Sequence, residues 1–326
     1  MIRIIDNTLS GLNELPTKEE LHAFCQLLFV IGVDMVEVSI PVYKKMECLP
    51  WQNKCILAID YVEQMDQYPG FYRYVCRHEE RVDHVMNELQ LNDMREIVKL
   101  RALDYCSELR IVGLDDMLCK PYEKIMGEIK RTLAKSKINF CPENTFGCAS
   151  ALAVQWILNG GYDITTSFAG FCNNAATEEV LMALRLSIRH KPNKDLTVLP
   201  QVTQLFEQIS NRKIGNKKPI IGKGIFKVEA GIHADGIIKN PATYEAYDPK
   251  SVGGQTEVVI GKHSGLKAIK YKLIELNMPL PSDLVLEEIL HHVKVICHET
   301  KTSLADEEFK ILAFEVIAYE REQIYC

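Results

Sequence analysis

The chain has 326 residues, of which 47% are hydrophobic and 25% are charged, and these proportions are typical of a globular protein in water. A formal net charge of −6 provides no basic surface for neutralising phosphates, so nucleic-acid binding is not expected. No apolar run approaches the roughly 20 residues that span a bilayer. The opening MIRIIDNTLS lacks the layout of a secretion signal, and the 11 cysteines show no framework spacing. We therefore expect a cytoplasmic protein with reduced thiols and no membrane association.

Short β-branched runs alternate with longer helical patterns up to about Pro192. The predicted strands are Arg3–Leu9, Asp34–Ile40, Lys54–Asp60, Phe71–Arg77, Leu109–Asp115, Lys137–Glu143 and Asp163–Ala169. The predicted helices between them are Lys18–Ile31, Met117–Ala134, Ala149–Asn159 and Glu178–Ile188. Alternating units of this kind imply a parallel sheet, either closed into a barrel or open and doubly wound. The strands are one short of a (β/α)₈ barrel, and the count alone leaves the closure open.

The pattern changes after Pro192. A predicted helix, Leu199–Ser210, leads into a basic link with several glycines, NRKIGNKKPIIGKG, and the end of the chain reads as two helices, Leu284–Glu299 and Ala305–Glu320. We divide the chain into an α/β domain over 1–213, a linker subdomain over 214–275 and a helical region over 276–326.

The linker subdomain carries two distinctive motifs, EAGIHADGIIKNPATYE and GKHSG, between Gly224 and Gly265. This stretch resembles the homocitrate synthase and isopropylmalate synthase family, especially the nitrogen-fixation type of homocitrate synthase. DNTL at Asp6–Leu9 resembles the D-T-T-L of the family's first strand, and NAATEEVLMAL at Asn174–Leu184 resembles its last barrel helix. The likeness runs from end to end and is patchy between residues 42 and 136.

The resemblance implies a TIM barrel, a small linker subdomain and a helical C-terminal region, assembled as a homodimer. It also implies a Claisen-type condensation of acetyl-CoA with a 2-oxo acid, assisted by a divalent metal. Such a reaction needs an electrophilic ketone, a base for the acetyl methyl group, and stabilisation of the charge that develops on oxygen.

The motifs of the family's metal site are altered. In the family, L-R-D-G provides an arginine for the developing alkoxide and an aspartate for the metal, whereas Ser10 and Gly11 stand here. The family's H-x-H-N-D reads Cys141-Pro-Glu143-Asn-Thr, so both histidines are replaced. The loop after strand eight is three residues shorter than the family's E-R-A-G-N loop. We favour a site that no longer holds the divalent metal that the resemblance implies. The weaker alternative is a zinc ion that is bound by Cys141 and Glu143, with Asp6 or Asn174 nearby.

The acid–base residues are retained. By resemblance, His233 of G-I-H and Tyr244 of T-Y-E assist proton transfer at the acyl group and reach over the barrel of the partner subunit. A histidine near its ordinary pKa of about 6.5 suits this task. The alternative is inherited packing of the subdomain. Lys262, His263 and Ser264 of GKHSG are interpreted as residues that order the subdomain.

Two further residues are candidates for substrate binding. Glu37 lies on the second predicted strand, where the family often has a carboxylate facing the substrate, and a structural partner is the alternative. Arg77 ends a predicted strand, where barrel active sites are built, and could hold a substrate carboxylate or form a surface ion pair.

Spacing suggests a shortened barrel, because the interval from Asp6 to Cys141 is shorter than in the family by something like two βα units. Loss of one unit would leave seven strands and a barrel that is open or closes differently. Two functions stay open: a homocitrate synthase-like acyltransferase with an altered or lost mechanism, and a non-catalytic homologue that binds a metabolite or partner.

Overall fold

A computed structural model describes residues 2–78, 82–103, 106–231, 233, 236, 240 and 243–324, with side chains up to Tyr319. The chain divides into two compact units, Met1–Gly222 and Lys223–Cys326. The sequence-based division at 213/214 and 275/276 stays a prediction. No helix in the described ranges is both long and apolar enough to cross a membrane.

The first unit is a closed barrel of eight parallel strands. The strands are β1 Arg3–Asp6, β2 Met35–Ser39, β3 Cys55–Ala58, β4 Arg73–Cys76, β5 Val85–Leu91, β6 Glu108–Gly113, β7 Lys137–Pro142 and β8 Asp163–Thr166. Each strand pairs with the next, and β1 pairs with β8 from Arg3↔Asp163 to Asp6↔Thr166, which closes the barrel. The predicted α/β barrel fold is confirmed. The suggested loss of a βα unit is wrong, because all eight strands are present and the barrel is closed.

The shortening lies in the connections between strands. The helices of this unit are α1 Lys18–Ile31, α2 Ile40–Met46, α3 Gln64–Gln67, α4 Tyr122–Thr132, α5 Ala149–Leu158, α6 Thr177–Ile188 and α7 Leu199–Ser210. Helix α3 has only four residues, and the described residues between β4 and β5 contain no helix. Between β5 and β6 the chain forms a 3₁₀ segment, Met94–Leu103, where an α-helix would be expected. A barrel can lose helices in this way because its ladder of hydrogen bonds closes without them.

Local sequence explains the better-formed elements. Helix α1 begins with a capping box, in which the Thr17 side chain accepts from the Glu20 N–H and the Glu20 side chain accepts from the Thr17 N–H. It ends at Gly32, whose φ of 115° belongs to the left-handed region that glycine tolerates. Inside the barrel, strands β1 to β5 provide an apolar cluster of Ile5, Met35, Ile56, Val75 and Met86.

The described part of the second unit contains a two-stranded parallel sheet, a 3₁₀ helix Pro249–Val252 and three helices of at least ten residues. The strands are β9 Lys227–Val228 and β10 Glu257–Val258, and the helices are α8 Leu266–Glu275, α9 Asp283–Thr300 and α10 Asp306–Ile324. The helices share their own core, which includes Ile269, Leu273, Ile289, Val293 and Phe309. Two of these helices match the two predicted at the end of the chain.

Candidate functional site at the barrel mouth and in the second unit

A buried ion pair joins Glu37, in the middle of β2, to Arg110 on β6. The Arg110 Nη2 and Glu37 Oε2 atoms are 2.6 Å apart, and the two side chains are 1% and 6% exposed. The Ser10 hydroxyl donates to Glu37 Oε1 at 3.1 Å and to the Asn7 carbonyl at 2.8 Å. Glu37 is therefore bonded within this chain, and its role in substrate binding stays a prediction.

Arg110 is the residue that sequence analysis missed at this site. Its Nε donates to Asn139 Oδ1 at 3.0 Å, and its Nη1 lies 3.4 Å from Glu88 Oε2. Burial works against its charge, yet the Glu37 and Glu88 carboxylates raise the pKa of Arg110 above its ordinary value. The available signal was an arginine within the apolar run LRIVG, since a buried charge requires partners.

The family's metal-binding aspartate would start from the position of Gly11, and that space is filled. A Cβ added at Gly11 would overlap the Cys172 Sγ atom and lie 3.4 Å from the Phe171 ring. Cys172 belongs to the irregular turn Phe168–Asn173 after β8, in which Ala169 and Cys172 have positive φ angles of 59°. Cys172 is exposed as a residue, yet partial burial of its sulfur raises the pKa of the thiol to about 11, so the thiol is uncharged at neutral pH. The loop after β8 thus places the Cys172 side chain beside Gly11, where by resemblance the family has a carboxylate.

The four residues that were weak candidates for metal binding are each buried or hydrogen-bonded within the chain; they are Asp6, Cys141, Glu143 and Asn174. Asp6 is fully buried, where its carboxylate accepts from the Thr8 N–H at 3.0 Å and the Thr177 hydroxyl at 2.5 Å. Burial raises the pKa of Asp6 to about 6 and outweighs these hydrogen bonds. Burial also raises the pKa of the Cys141 thiol, which opposes the thiolate that zinc requires.

The remaining two candidates bond to amides. Glu143 accepts from the Gln90 amide at 2.8 Å, and the Asn174 amide donates to Asn7 at 3.2 Å. Across the described residues, no group of three His, Cys, Asp or Glu side chains is arranged to hold a metal ion. The divalent metal that the resemblance implies stays a prediction.

Arg77 lies at the rim of a cleft between β4 and β5. The cleft has a volume of about 450 Å³ and is lined by Arg77, His78, Asn87, Glu88, Leu89, Gln90 and Leu103. The Arg77 side chain is 68% exposed and approaches Glu88 at 3.8 Å. The Asn87 side chain accepts from the His78 N–H and donates to the His78 carbonyl, which fixes the backbone beside Arg77. An exposed guanidinium at the rim of a cleft can reach a carboxylate.

His233 and Tyr244 lie together in the second unit. Their ring centroids are 5.4 Å apart with an interplanar angle of 48°. Tyr244 is 45% exposed, and His233 is exposed as well. A Cβ at Gly236 would overlap the Tyr244 ring, so glycine at this position leaves room for the tyrosine. The structure therefore brings the two predicted acid–base residues into one exposed pair. Asp235, two residues after His233, lies outside the described residues.

The GKHSG loop is held by hydrogen bonds from β9 and its extension. The Glu229 carboxylate accepts from the His263 N–H at 2.8 Å. The Ser264 hydroxyl accepts from the Gly261 N–H at 2.9 Å and donates to the Glu229 carbonyl at 3.1 Å. These bonds agree with the interpretation that Ser264 orders the subdomain. The Lys262 side chain has no ion-pair partner among the described residues.

Solved structures identify the fold of the barrel. Hydroxymethylglutaryl-CoA lyases from Bacillus subtilis and Pseudomonas aeruginosa each match with a TM-score of 0.50 and 15% identity. The matches cover 65% of this chain and 95% and 94% of those chains. At this identity the likeness concerns the fold alone.

Sequence comparisons identify the family. The profile described as "Homocitrate synthase post-HMGL domain-like" matches residues 220–301. The homocitrate synthase omega subunit of Clostridium pasteurianum is 30% identical over 300 residues, which cover 84% of this chain and 85% of that protein. Homocitrate synthase AksA of Methanocaldococcus jannaschii is 34% identical over 198 residues, which cover 60% of this chain and 48% of that protein. With this agreement across most of its length, the chain belongs to the homocitrate synthase family.

Proposed function

We propose that this chain is a subunit of a homocitrate synthase-like acyltransferase and that its barrel is not the one that performs the condensation. The observation that carries the proposal is the overlap between a side chain at position 11 and Cys172, together with the retained pair His233 and Tyr244. The second unit keeps the acid–base residues, while the barrel has replaced the residues around the reacting ketone. The catalytic barrel would belong to a second chain whose arginine, aspartate and histidines are intact.

The proposed reaction is a Claisen-type condensation of acetyl-CoA with a 2-oxo acid. His233, assisted by the Tyr244 hydroxyl, removes a proton from the acetyl methyl group, and the resulting enolate carbon forms a bond to the ketone carbon. The ketone oxygen becomes an alkoxide and takes up a proton. Water then cleaves the thioester, which releases a carboxylate and the coenzyme A thiol.

A second, different chain is needed if His233 and Tyr244 act at the barrel of a partner subunit. The resemblance implies that this histidine and tyrosine serve the barrel of a partner subunit. A homodimer of this chain, which stays a prediction, would offer them a barrel that again has Gly11 beside Cys172. The name "omega subunit" of the Clostridium pasteurianum relative supports an enzyme with more than one kind of subunit. A cytoplasmic location also belongs to this proposal, because acetyl-CoA is an intracellular substrate.

A non-catalytic homologue that binds a metabolite is the alternative, and the Arg77 cleft favours it. The cleft lies at the carboxyl ends of β4 and β5, where barrel proteins bind ligands. Its exposed guanidinium suits the carboxylate of a 2-oxo acid, so Arg77 stays a proposed substrate-binding residue.

Complementation distinguishes these functions. The partner would be a homocitrate synthase-like chain from the same organism that retains the metal motifs and carries alanine in place of its own G-I-H histidine. We expect coenzyme A release with 2-oxoglutarate only when the two chains are mixed. His233→Ala in this chain should reduce the rate at least about 100-fold, as for loss of a general base, whereas the exposed His291→Ala should leave it unchanged.

Two outcomes would contradict the proposal. If this chain alone released coenzyme A in the presence of Mg²⁺ or Zn²⁺, its own barrel would be catalytic. If no mixture were active while calorimetry showed 2-oxoglutarate binding that Arg77→Ala removes, the binding protein would be the better description.

A further inference from the structure

The second unit contains a basin between the GKHSG loop and the end of helix α9. It has a volume of about 330 Å³, at the lower end of the range for ligand sites. On one side lie Lys262 and Glu229, and on the other lie His298, Lys301 and the hydroxyls of Thr302 and Ser303. The buried Cys297 side chain forms an apolar part of the lining.

Both walls of the basin are held by the fold. Lys262 follows Gly261, whose N–H donates to Ser264, and precedes His263, whose N–H donates to Glu229. Lys301 ends helix α9 in the left-handed region with a φ of 57°. An isolated antiparallel bridge, Ile260↔Leu304, joins the two walls just outside the basin. The two lysines are therefore anchored at their backbones on opposite sides of one cavity.

The charges of the basin favour an anion. Other lysines of this unit form ion pairs, as with Lys227 and Glu257 or Lys270 and Asp283. Lys262 and Lys301 have no carboxylate partner among the described residues. Glu229 is the one carboxylate in the described lining, and its Oε1 atom is already bonded to the His263 N–H. The described lining thus contains two exposed lysines and one carboxylate whose negative charge is partly satisfied.

We propose that this basin binds a phosphate monoester. Two ammonium groups balance a doubly charged phosphate, and lysine binds phosphate as a point charge without the fixed geometry of arginine. The Thr302 and Ser303 hydroxyls and the His298 ring add hydrogen-bond donors. The volume suits a phosphate with the sugar that it esterifies. The phosphate monoester that we assign to this basin is the 3′-phosphate of coenzyme A. This assignment rests on the proposed function, whereas the proposal that the basin binds a phosphate is independent of it.

Calorimetric titration of the full chain at low salt tests the site. The probes are coenzyme A, dephospho-coenzyme A and inorganic phosphate. We expect coenzyme A to bind at least about fivefold more tightly than dephospho-coenzyme A, since a charge-assisted contact typically contributes this much. Lys262→Ala and Lys301→Ala should each abolish the difference. Lys294→Ala, an exposed lysine of helix α9 outside the basin, should preserve it.

The possible results separate the site from its source. If the two coenzymes bind equally and inorganic phosphate binds in a manner that depends on Lys262 and Lys301, the basin takes a phosphate from another source, and the assignment to coenzyme A is overturned. If neither lysine affects the binding of any of the three probes, the phosphate site itself is overturned. The titration needs no turnover, so it can fail while the complementation assay succeeds, and the reverse.

Discussion

Gly11 and Cys172 together determine what the mouth of the barrel can hold. By resemblance, the family's aspartate corresponds to Gly11, a prediction that comes from comparing the two motifs residue by residue. The sequence does not show that the Cys172 side chain occupies the vacated space, since this contact joins two distant parts of the chain. An aspartate restored at position 11 would therefore require the Cys172 side chain to move.

A double-mutant cycle measures this contact. Gly11→Ala should lower the free energy of unfolding by about 1–3 kcal/mol, the usual cost of an overpacked site. Cys172→Ala removes the overlapping sulfur, so adding it should recover most of this loss. Urea unfolding of the two single variants and the double variant gives the coupling energy.

Gly215→Ala is the matched control for this cycle. An added Cβ at Gly215 meets nothing within 4 Å, so the change should alter the free energy of unfolding by no more than about 0.5 kcal/mol. Additive effects of Gly11→Ala and Cys172→Ala would show that the two side chains do not compete for one space.

At the scale of elements, the sequence predicts strands well wherever they are apolar. All seven predicted strands are present, and the barrel strand that was missed is β5, with the sequence VMNELQL; the two-residue strands β9 and β10 were missed as well. Its polar residues hide the strand pattern because their partners are distant in sequence: Asn87 holds the His78 backbone, Glu88 approaches Arg110, and Gln90 bonds Glu143. These partners come together only when the barrel closes, so the local periodicity of the sequence cannot reveal them.

Helix α6 carries a buried carboxylate that makes stability depend on pH. Glu178 accepts from the Ala169 N–H at 2.9 Å and lies 3.7 Å from the Lys218 ammonium. Burial nevertheless raises the pKa of Glu178 from 4.5 to about 7. Between these values the folded state holds a proton that the unfolded state has lost, so the free energy of unfolding falls as pH rises through this window. The stabilisation is complete below about pH 4.5 and is lost above about pH 7.

Glu178→Gln should remove this part of the pH dependence. The amide oxygen can still accept from the Ala169 N–H, and the side chain carries no charge to bury. Urea unfolding between pH 5 and pH 8 should show a flatter profile than the unmodified chain, by a difference on the order of 3 kcal/mol. The exposed Glu123→Gln on helix α4 should leave the profile unchanged. A profile that stays equally steep in Glu178→Gln would assign the dependence to other groups, such as Asp6, whose pKa is also raised.

At the scale of the whole molecule, the chain consists of two compact units that each contain a core. Leu28 is fully buried in the barrel unit, and Ile289 is fully buried in the helical core of the second unit. The sequence predicted a change of architecture after Pro192 from the change of pattern, whereas the position of the boundary depends on which contacts form. Chains with more than one unit commonly depart from a single two-state transition.

Two thermal transitions are therefore expected, and core substitutions should assign them. Leu28→Ala and Ile289→Ala each remove a fully buried side chain and should each cost about 2–5 kcal/mol. In scanning calorimetry, Ile289→Ala should shift only one transition to lower temperature, and Leu28→Ala should shift only the other. Equal shifts of a single transition by both variants would show that the units unfold as one. Separate transitions would also help the complementation and titration experiments. If a variant of the second unit lost function while the thermal transition of the barrel was unchanged, the loss could be attributed to the second unit.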